Sequence, residues 1–407
     1  MTKPSNPVES AEQRPVWAWI DEQALRHNAR RAIACADGRS VIGVVKADGY
    51  GHGAATVARA LLAEGVGRLA VVSVAEGAAL RRAGIVAPIL LLGGLDDEAA
   101  AARAVKWGLT PVLQDERGLS LANRFGRPGA TLSVEIEVDT GMSRMGVVAR
   151  SAVALVEQAR RSPGLQVTGL FTHLACADAP DPEPSRQQMA RFAEVLRELV
   201  ERGEAVPETH VVNSGGLLRR AEIETEELGV VTTAVRPGLM LYGASPFEGP
   251  GGQSAAALDL APVMTLAARV ISLRRIAAGD AVGYGGEWRA KAPTTIATLP
   301  LGYADGIPRS VLGRGRVHLA GTMRPIVGRV SMDSVCVDVG DAPVEIGDIA
   351  TIFGRTPSGE RIPVEGLAAA AGTVAYEILV GVGARVPRLV GAGPPPGHGE
   401  ELLERTD

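Results

Sequence analysis

The chain reads as an α/β protein, an N-terminal (β/α)8 barrel of the TIM type followed by a C-terminal mainly-β domain. Three observations predict this. Eight short apolar, β-branched runs ending in turn residues precede residue 248. Ala-, Leu- and Arg-rich stretches of helical character separate most of them. Beyond "GPGGQSAAALDL" (249–260), short strands follow one another across Gly, Pro and Asp turns with few helices. Strand-then-helix repetition implies a parallel sheet with right-handed crossovers, and eight units is the number that closes a barrel.

The eight runs, in order, are "VIGVVKADG", "RLAVVSVAEG", "PILLLGG", "GLTPVLQD", "LSVEIEVDTG", "QVTGLFTHL", "HVVNSGG" and "TAVRPGLMLYG". Helical character is clearest over residues 54–63, 76–83, 152–160 and 187–201. In the second region, "PVMTLAARVISLRRI", "TTIATLPLG", "GRVHLAG", "MRPIVGRVSMDSVCVDVG" and "GDIATIFG" read as strands. The early run "VWAWI" is left open to pair with either region. The expected division is a flexible tail over 1–14, a barrel over 15–248, a mainly-β domain over 249–393 and a second flexible tail over 394–407, both ends being polar or Pro-rich.

With 407 residues and a net charge of −4, the chain has length for a large core and no basic excess of the kind a phosphate-binding surface shows, so no nucleic-acid partner is expected. The start has no apolar stretch after its charges, and no run of about 18–20 apolar residues occurs, so the expectation is a cytoplasmic protein without a membrane partner. Cys35, Cys176 and Cys336 are odd in number and lack C-x-x-C spacing, which supports neither a disulfide framework nor a metal site.

Chemistry in such barrels sits at the C-terminal ends of the strands. There the sequence places Lys46 with Tyr50 and His52, then Glu137, Asp139 and Arg144, then His173 and Asp178, then Asn213 and Ser214, then Arg236 and Gly238. The last two loops, "NSGG" and "RPGL", offer small residues whose N–H groups can approach an anion, with the Ser214 hydroxyl beside them. An anion anchored on one side and an amine on the other is the layout for a phosphorylated aldehyde held covalently by lysine. Pyridoxal 5'-phosphate fits.

In order along the chain, "VVKADGYGHGA", "VDTGMSRMG", "FTHLACAD", "NSGG", "VRPGLMLYG", "VGYGGEW", "LPLGYADGIPR" and "GRVSMDS" resemble the alanine racemases, pyridoxal-phosphate enzymes built from a barrel and a β-domain. The resemblance runs from about Trp17 to Pro387. It implies that Lys46 holds the cofactor and acts as acid and base on one face of the substrate's Cα, with Tyr284 as second base on the other. It also implies that Arg236 donates to the pyridine nitrogen, that His173 supports Arg236, and that Tyr50, Asn213, Ser214 and the N–H groups of Gly238 and Leu239 hold the phosphate. The resemblance further implies that Arg144 contacts the cofactor and the substrate carboxylate, and that Met332 offers a backbone N–H to that carboxylate. Tyr303, Asp305, Arg309, Arg329 and Asp178 match entrance positions, while Asp333 organises a turn.

Two departures stand out. Glu137 occupies a position where many family members carry a carbamylated lysine, and its carboxylate is expected to orient Arg144 directly. Ala384 stands where some members have a tyrosine that reaches the phosphate. The implied assembly is a head-to-tail homodimer in which Tyr284 and Met332 of one subunit serve Lys46 of the other. The implied activity is interconversion of L- and D-alanine for peptidoglycan. A broader-specificity or serine racemase, a decarboxylase on the same plan, and a non-catalytic cofactor carrier are the competing readings.

Overall fold

The computed structural model describes residues 14–127, 131–224, 232–247 and 252–396. The expected boundary at 248/249, residues 1–13 of the expected N-terminal tail and residues 397–407 of the C-terminal one lie outside them.

Strand β1 (Val16–Asp21) is buried along its whole length and leads into a helix, Glu22–Ala36, whose first turn is capped by the Asp21 carboxylate accepting from Gln23 N and Ala24 N. All eight apolar runs form strands: β2 (Ser40–Val44), β3 (Arg68–Val71), β4 (Ile89–Leu91), β5 (Thr110–Leu113), β6 (Leu132–Asp139), with β7 (Val147–Val148) on its edge, then β8 (Leu165–Phe171), β9 (Glu208–His210) and β10 (Ala234–Val235). Every pairing among them is parallel, in the order β5-β4-β3-β2-β10-β9-β8-β6, and β5 pairs with β6 to close the barrel. Continuous apolar runs such as Val41–Val44 and Leu69–Val71 are buried because a closed sheet ringed by helices shields both faces. The helices found at Ala54–Ala63, Val74–Arg82, Ala149–Arg160 and Glu183–Glu201 cover the stretches read as helical except for Ala83, which is a C-cap.

The second region is antiparallel: β11 (Met264–Arg269), β12 (Ser272–Ile276), β13 (Ala281–Val282), β14 (Trp288–Arg289), β15 (Thr294–Leu299), β16 (Arg316–Leu319), β17 (Thr322–Val327), β18 (Val335–Gly340), β19 (Ile349–Arg355), β20 (Arg361–Ile362) and, after two helices, β21 (Arg388–Gly391). Strand β1 joins this sheet rather than the barrel, antiparallel to β11 and parallel to β21. From β1 the chain thus crosses directly from the second unit into the barrel. Arg14, the last residue of the expected tail, donates to Asp305 Oδ1 and Oδ2 at 2.8 and 2.9 Å and to Pro300 O at 2.6 Å.

The two helices of this region, Val364–Ala371 and Ala375–Gly381, are the elements that sequence patterning missed. The second packs on the barrel rim: a Cβ on Gly51 would meet Leu379 O at 2.5 Å, and Arg388 Nε donates to Gly51 O at 3.1 Å. That contact brings Tyr376 to the barrel mouth. Among the described residues, no single helix is long and apolar enough to cross a membrane.

Candidate active site

A cavity of about 470 Å3 opens at the C-terminal ends of the barrel strands. Lys46, Tyr50, Arg144, His173, Asn213, Ser214, Arg236, Gly238 and Leu239 all line it, together with Glu137, Phe171 and Tyr376. The nine residues expected to bind a cofactor, drawn from five different strand ends, therefore share one space. A larger cavity of about 750 Å3, between Tyr242, Phe353 and Val364, contains none of them.

Lys46 follows β2 directly. Burial pushes its ammonium pKa down, Arg144 and Arg236 push the same way, and Glu76 opposes them. Arg144 reaches the mouth on a turn tied by Asp139, whose Oδ1 accepts from Gly141 N, Met142 N and Ser143 N at 2.9–3.0 Å.

Arg236 is buried beneath the cavity with its guanidinium stacked on Phe171 at 4.6 Å. Its Nη groups donate to Thr172 O (2.7 Å), His210 O (3.0 Å), Val211 O (3.3 Å), His173 Nδ1 (3.3 Å) and His210 Nδ1. Arginine has no acceptor, so both histidines accept at Nδ1 and carry their proton on Nε2. Burial and the Arg236 charge pull His173 down to about 3, which leaves it neutral. Nε of Arg236 makes none of these contacts and remains as the N–H available to a ring nitrogen.

Below Arg236 lies a group that sequence reading did not find. His210 Nε2 donates to Glu135 Oε2 at 2.8 Å, and Arg68 bridges Glu135 and Glu208. Burial works against the Glu135 carboxylate, but the His210 N–H and the Arg68 guanidinium hold it ionised; burial keeps His210 neutral. Glu135 sits on β6 among apolar neighbours and has no motif around it, so only its barrel-facing parity could have flagged it.

At the opposite end, Ser214 Oγ accepts from Gly238 N (2.9 Å) and Met240 N (3.2 Å), and Asn213 Oδ1 caps Gly216 N at 3.0 Å. Tyr50 stacks on Tyr242 at 4.5 Å and lies 5.9 Å from the Tyr376 ring. Gly238 has to be glycine: a Cβ there would stand 2.5 Å from Tyr50 Oη. Two hydroxyls, glycine backbone and the start of the short helix Ser214–Leu218 form a cradle whose donor set suits a phosphate.

Three sequence expectations, on Glu137, Ala384 and Asp305, are corrected. Glu137 does not orient Arg144 through an ion pair; its Oε2 accepts from Gln114 Nε2 at 3.0 Å, and its influence on Arg144 is through space. Ala384 is exposed, and Tyr376 is the tyrosine of this region that lines the cavity. Asp305 is buried and no entrance residue, being held by Arg14, by Arg385 Nε at 2.7 Å and by Gly302 N at 2.9 Å. Asp333 pairs with Arg385, and Arg329 with Glu287. Tyr284 and Met332 do not line the Lys46 cavity; Tyr284 sits on a one-turn 3-10 helix of the second region, 71% exposed, and Met332 is 52% exposed.

A barrel with one lysine at its mouth, an anion cradle across from it and an arginine under the floor defines a class, the pyridoxal-phosphate enzymes of the barrel-plus-β-domain plan. Comparison with known proteins narrows it. Residues 20–246 match the family model "Alanine racemase, N-terminal domain" and residues 263–390 match "Alanine racemase, C-terminal domain". An alanine racemase of Desulforamulus reducens is 39% identical over 93% of this chain and 99% of its own length. Crystal structures of alanine racemases from Streptomyces lavendulae and Pseudomonas aeruginosa superpose with TM-scores of 0.85 and 0.83 at 34% and 35% identity, each over 93% of this chain and over 98% and 100% of theirs. The chain belongs to the alanine racemase family of pyridoxal-phosphate-dependent isomerases.

Proposed function

We propose that the protein interconverts L- and D-alanine by a two-base reaction, with Lys46 on one face of the substrate and Tyr284 on the other. The observation that carries this reading is the convergence of Lys46, Arg236, His173 and the Tyr50–Ser214–Gly238 cradle on one cavity.

Pyridoxal 5'-phosphate, when bound, supplies the electron sink that makes the substrate's Cα–H acidic. Lys46 binds it. Its lowered pKa raises the fraction of neutral amine that can accept a proton from Cα. Tyr50, Asn213, Ser214 and the N–H groups of Gly238 and Leu239 would hold the phosphate, and Arg236 would donate to the ring nitrogen. Arginine keeps its proton, so Arg236 would donate a hydrogen bond to the ring nitrogen without protonating it, and the group would supply a weaker electron sink than it would beside an acidic partner. His173, neutral and anchored on Arg236, keeps that guanidinium in place. Arg144 takes the substrate carboxylate, aided by the Met332 N–H.

Tyr284 and Met332 are exposed on the β-domain and absent from the Lys46 cavity of their own chain. This supports a head-to-tail homodimer in which the β-domain of one subunit caps the barrel mouth of its partner. A domain division near 248/249 and a cytoplasmic enzyme supplying D-alanine for peptidoglycan complete the reading. Glu137, held by Gln114, supplies a carboxyl without modification where other members carry a carbamate, and Glu137→Gln weakens turnover without abolishing cofactor binding.

The test is D-alanine yield from L-alanine with purified protein and added pyridoxal phosphate, beside Lys46→Ala and a panel of other L-amino acids. Fastest inversion of alanine, lost in Lys46→Ala, is expected. Cofactor binding without inversion, or carbon dioxide release in place of it, overturns the proposal.

A further inference from the structure

The backbone after Lys46 is unusual. Ala47, Asp48, Gly49 and Tyr50 lie consecutively in the left-handed region, with φ of +51°, +53°, +61° and +53°, and only one is glycine. Each L-residue held this way costs roughly 1–2 kcal/mol, so the turn persists only if its surroundings impose it. Much of the restraint is local. Gly49 N donates to Val45 O and Gly51 N to Ala47 O, each at 2.9 Å, while Ala54 N donates to Asp48 Oδ1 at 2.8 Å. The buried His52 places Nδ1 at 3.0 Å from Gly49 O and 2.8 Å from Tyr50 O.

Among the described residues, one hydrogen bond to residues 46–50 comes from outside the segment 45–54. Ala47 N donates to Glu76 Oε1 at 2.7 Å. Glu76 belongs to the next strand–helix unit, where it completes a capping box: Ser73 Oγ accepts from Glu76 N at 3.2 Å, and Glu76 Oε2 accepts from Val72 N and Ser73 N at 2.8 and 3.0 Å. A capping box needs only one carboxylate oxygen. Here the second oxygen reaches across to the residue next to Lys46, so one carboxylate, its rotamer fixed by its own helix start, gathers three backbone donors from two barrel units.

We propose that Glu76 is the positioning residue of Lys46, clamping the left-handed turn that aims the lysine and holding a carboxylate within electrostatic reach of its ammonium. This deepens the proposed function and rests on Lys46 being the cofactor lysine. The charge argument has the same direction. Burial, Arg144 and Arg236 all drive the Lys46 pKa down, and Glu76 acts against them; of the other titratable groups around this end of the cavity, His173 and Tyr50 are neutral, while the Glu137 and Asp48 carboxylates are engaged by Gln114 Nε2 and Ala54 N. Removing the Glu76 charge therefore lowers the Lys46 pKa further.

Two readouts on the full-length protein test this. The first is the pH dependence of Lys46 labelling by re-added pyridoxal 5'-phosphate and borohydride, after the bound cofactor has been displaced by hydroxylamine. The second is hydrogen exchange of the Ala47 amide in the cofactor-loaded protein. Labelling needs the neutral amine, so Glu76→Gln moves its midpoint to lower pH, and the Ala47 amide exchanges at least tenfold faster. Glu76→Asp keeps the charge but falls one methylene short, so the midpoint stays near wild type while Ala47 loses protection. Should Glu76→Gln not fold, the Ala47 exchange of Glu76→Asp decides. Wild-type midpoint and exchange in a folded Glu76→Gln, or wild-type exchange in Glu76→Asp, overturn the proposal while leaving the racemase reading standing. Absence of Lys46 labelling in the wild-type protein overturns both.

Discussion

Replacing Gly238 by alanine sets a methyl against the residue that shapes the phosphate end of the cavity. The new Cβ lies 2.5 Å from Tyr50 Oη and 3.2 Å from Tyr50 Cζ, about 0.9 Å inside ordinary contact at the hydroxyl. The ring has little freedom to yield, being stacked on Tyr242 at 4.5 Å and flanked by Tyr376 at 5.9 Å. Overpacking of this kind costs about 1–3 kcal/mol. The same displacement swings the Tyr50 hydroxyl away from the cradle, and losing one hydrogen bond to a charged phosphate costs about 1.5–3 kcal/mol, roughly 10- to 150-fold in cofactor affinity. Urea unfolding of the cofactor-free protein reads the first effect, and an absorbance titration with pyridoxal phosphate reads the second. A destabilised Gly238→Ala that binds the cofactor with wild-type affinity refutes the assignment of Tyr50 to the phosphate; unchanged stability refutes the packing argument.

The remaining expectations use other parts of the same network. Tyr284→Phe retains the cofactor's absorbance but loses alanine inversion; a variant that inverts at the wild-type rate removes Tyr284 from the chemistry. His52 is fully buried, and burial pulls its pKa from 6.5 to about 4, so between those values the unfolded chain binds a proton that the folded chain refuses. Stability due to this residue is complete above pH 6.5 and falls as the pH drops, by about 2 kcal/mol between pH 7 and pH 5. His52→Asn should shrink the acid loss in urea unfolding by that amount, and an unaltered difference between the two pH values contradicts the assignment. Glu135→Ala leaves Arg68 and the His210–Arg236 pair without their buried carboxylate and should destabilise by about 3–5 kcal/mol in the same assay. A loss under about 1 kcal/mol shows that the pair does not anchor the floor of the site.

The barrel was legible because its strands are apolar on both faces and end in polar residues with distinct chemistry. Lys46, Arg144, His173, Ser214 and Arg236 each lie at or just beyond the end of such a run, and the topology needed only their order. Strand β1 was ambiguous for the opposite reason: "VWAWI" is apolar throughout, and nothing local says which sheet it completes. Tyr376 escaped because its helix is seven residues long, lies in a region of strand grammar and gains its meaning only by packing on Gly51. Glu76 was not legible as a ligand of Ala47, since its second oxygen acts across a crossover of about 30 residues. The expected Glu137–Arg144 bond failed because the fold put Gln114, from the neighbouring strand, within reach of the carboxylate.

Subunit complementation tests the central claim most directly. On the proposed two-base reading, Lys46→Ala and Tyr284→Phe are each expected to be inactive alone, one lacking the base on one face and the other the base on the opposite face. In a head-to-tail dimer, mixing them under subunit exchange rebuilds one intact site in each mixed dimer, and a statistical mixture regains about a quarter of wild-type alanine inversion. Recovery near that level is the predicted result. A mixture as inactive as its parents, with exchange verified, contradicts an active site shared between Lys46 of one subunit and Tyr284 of the other.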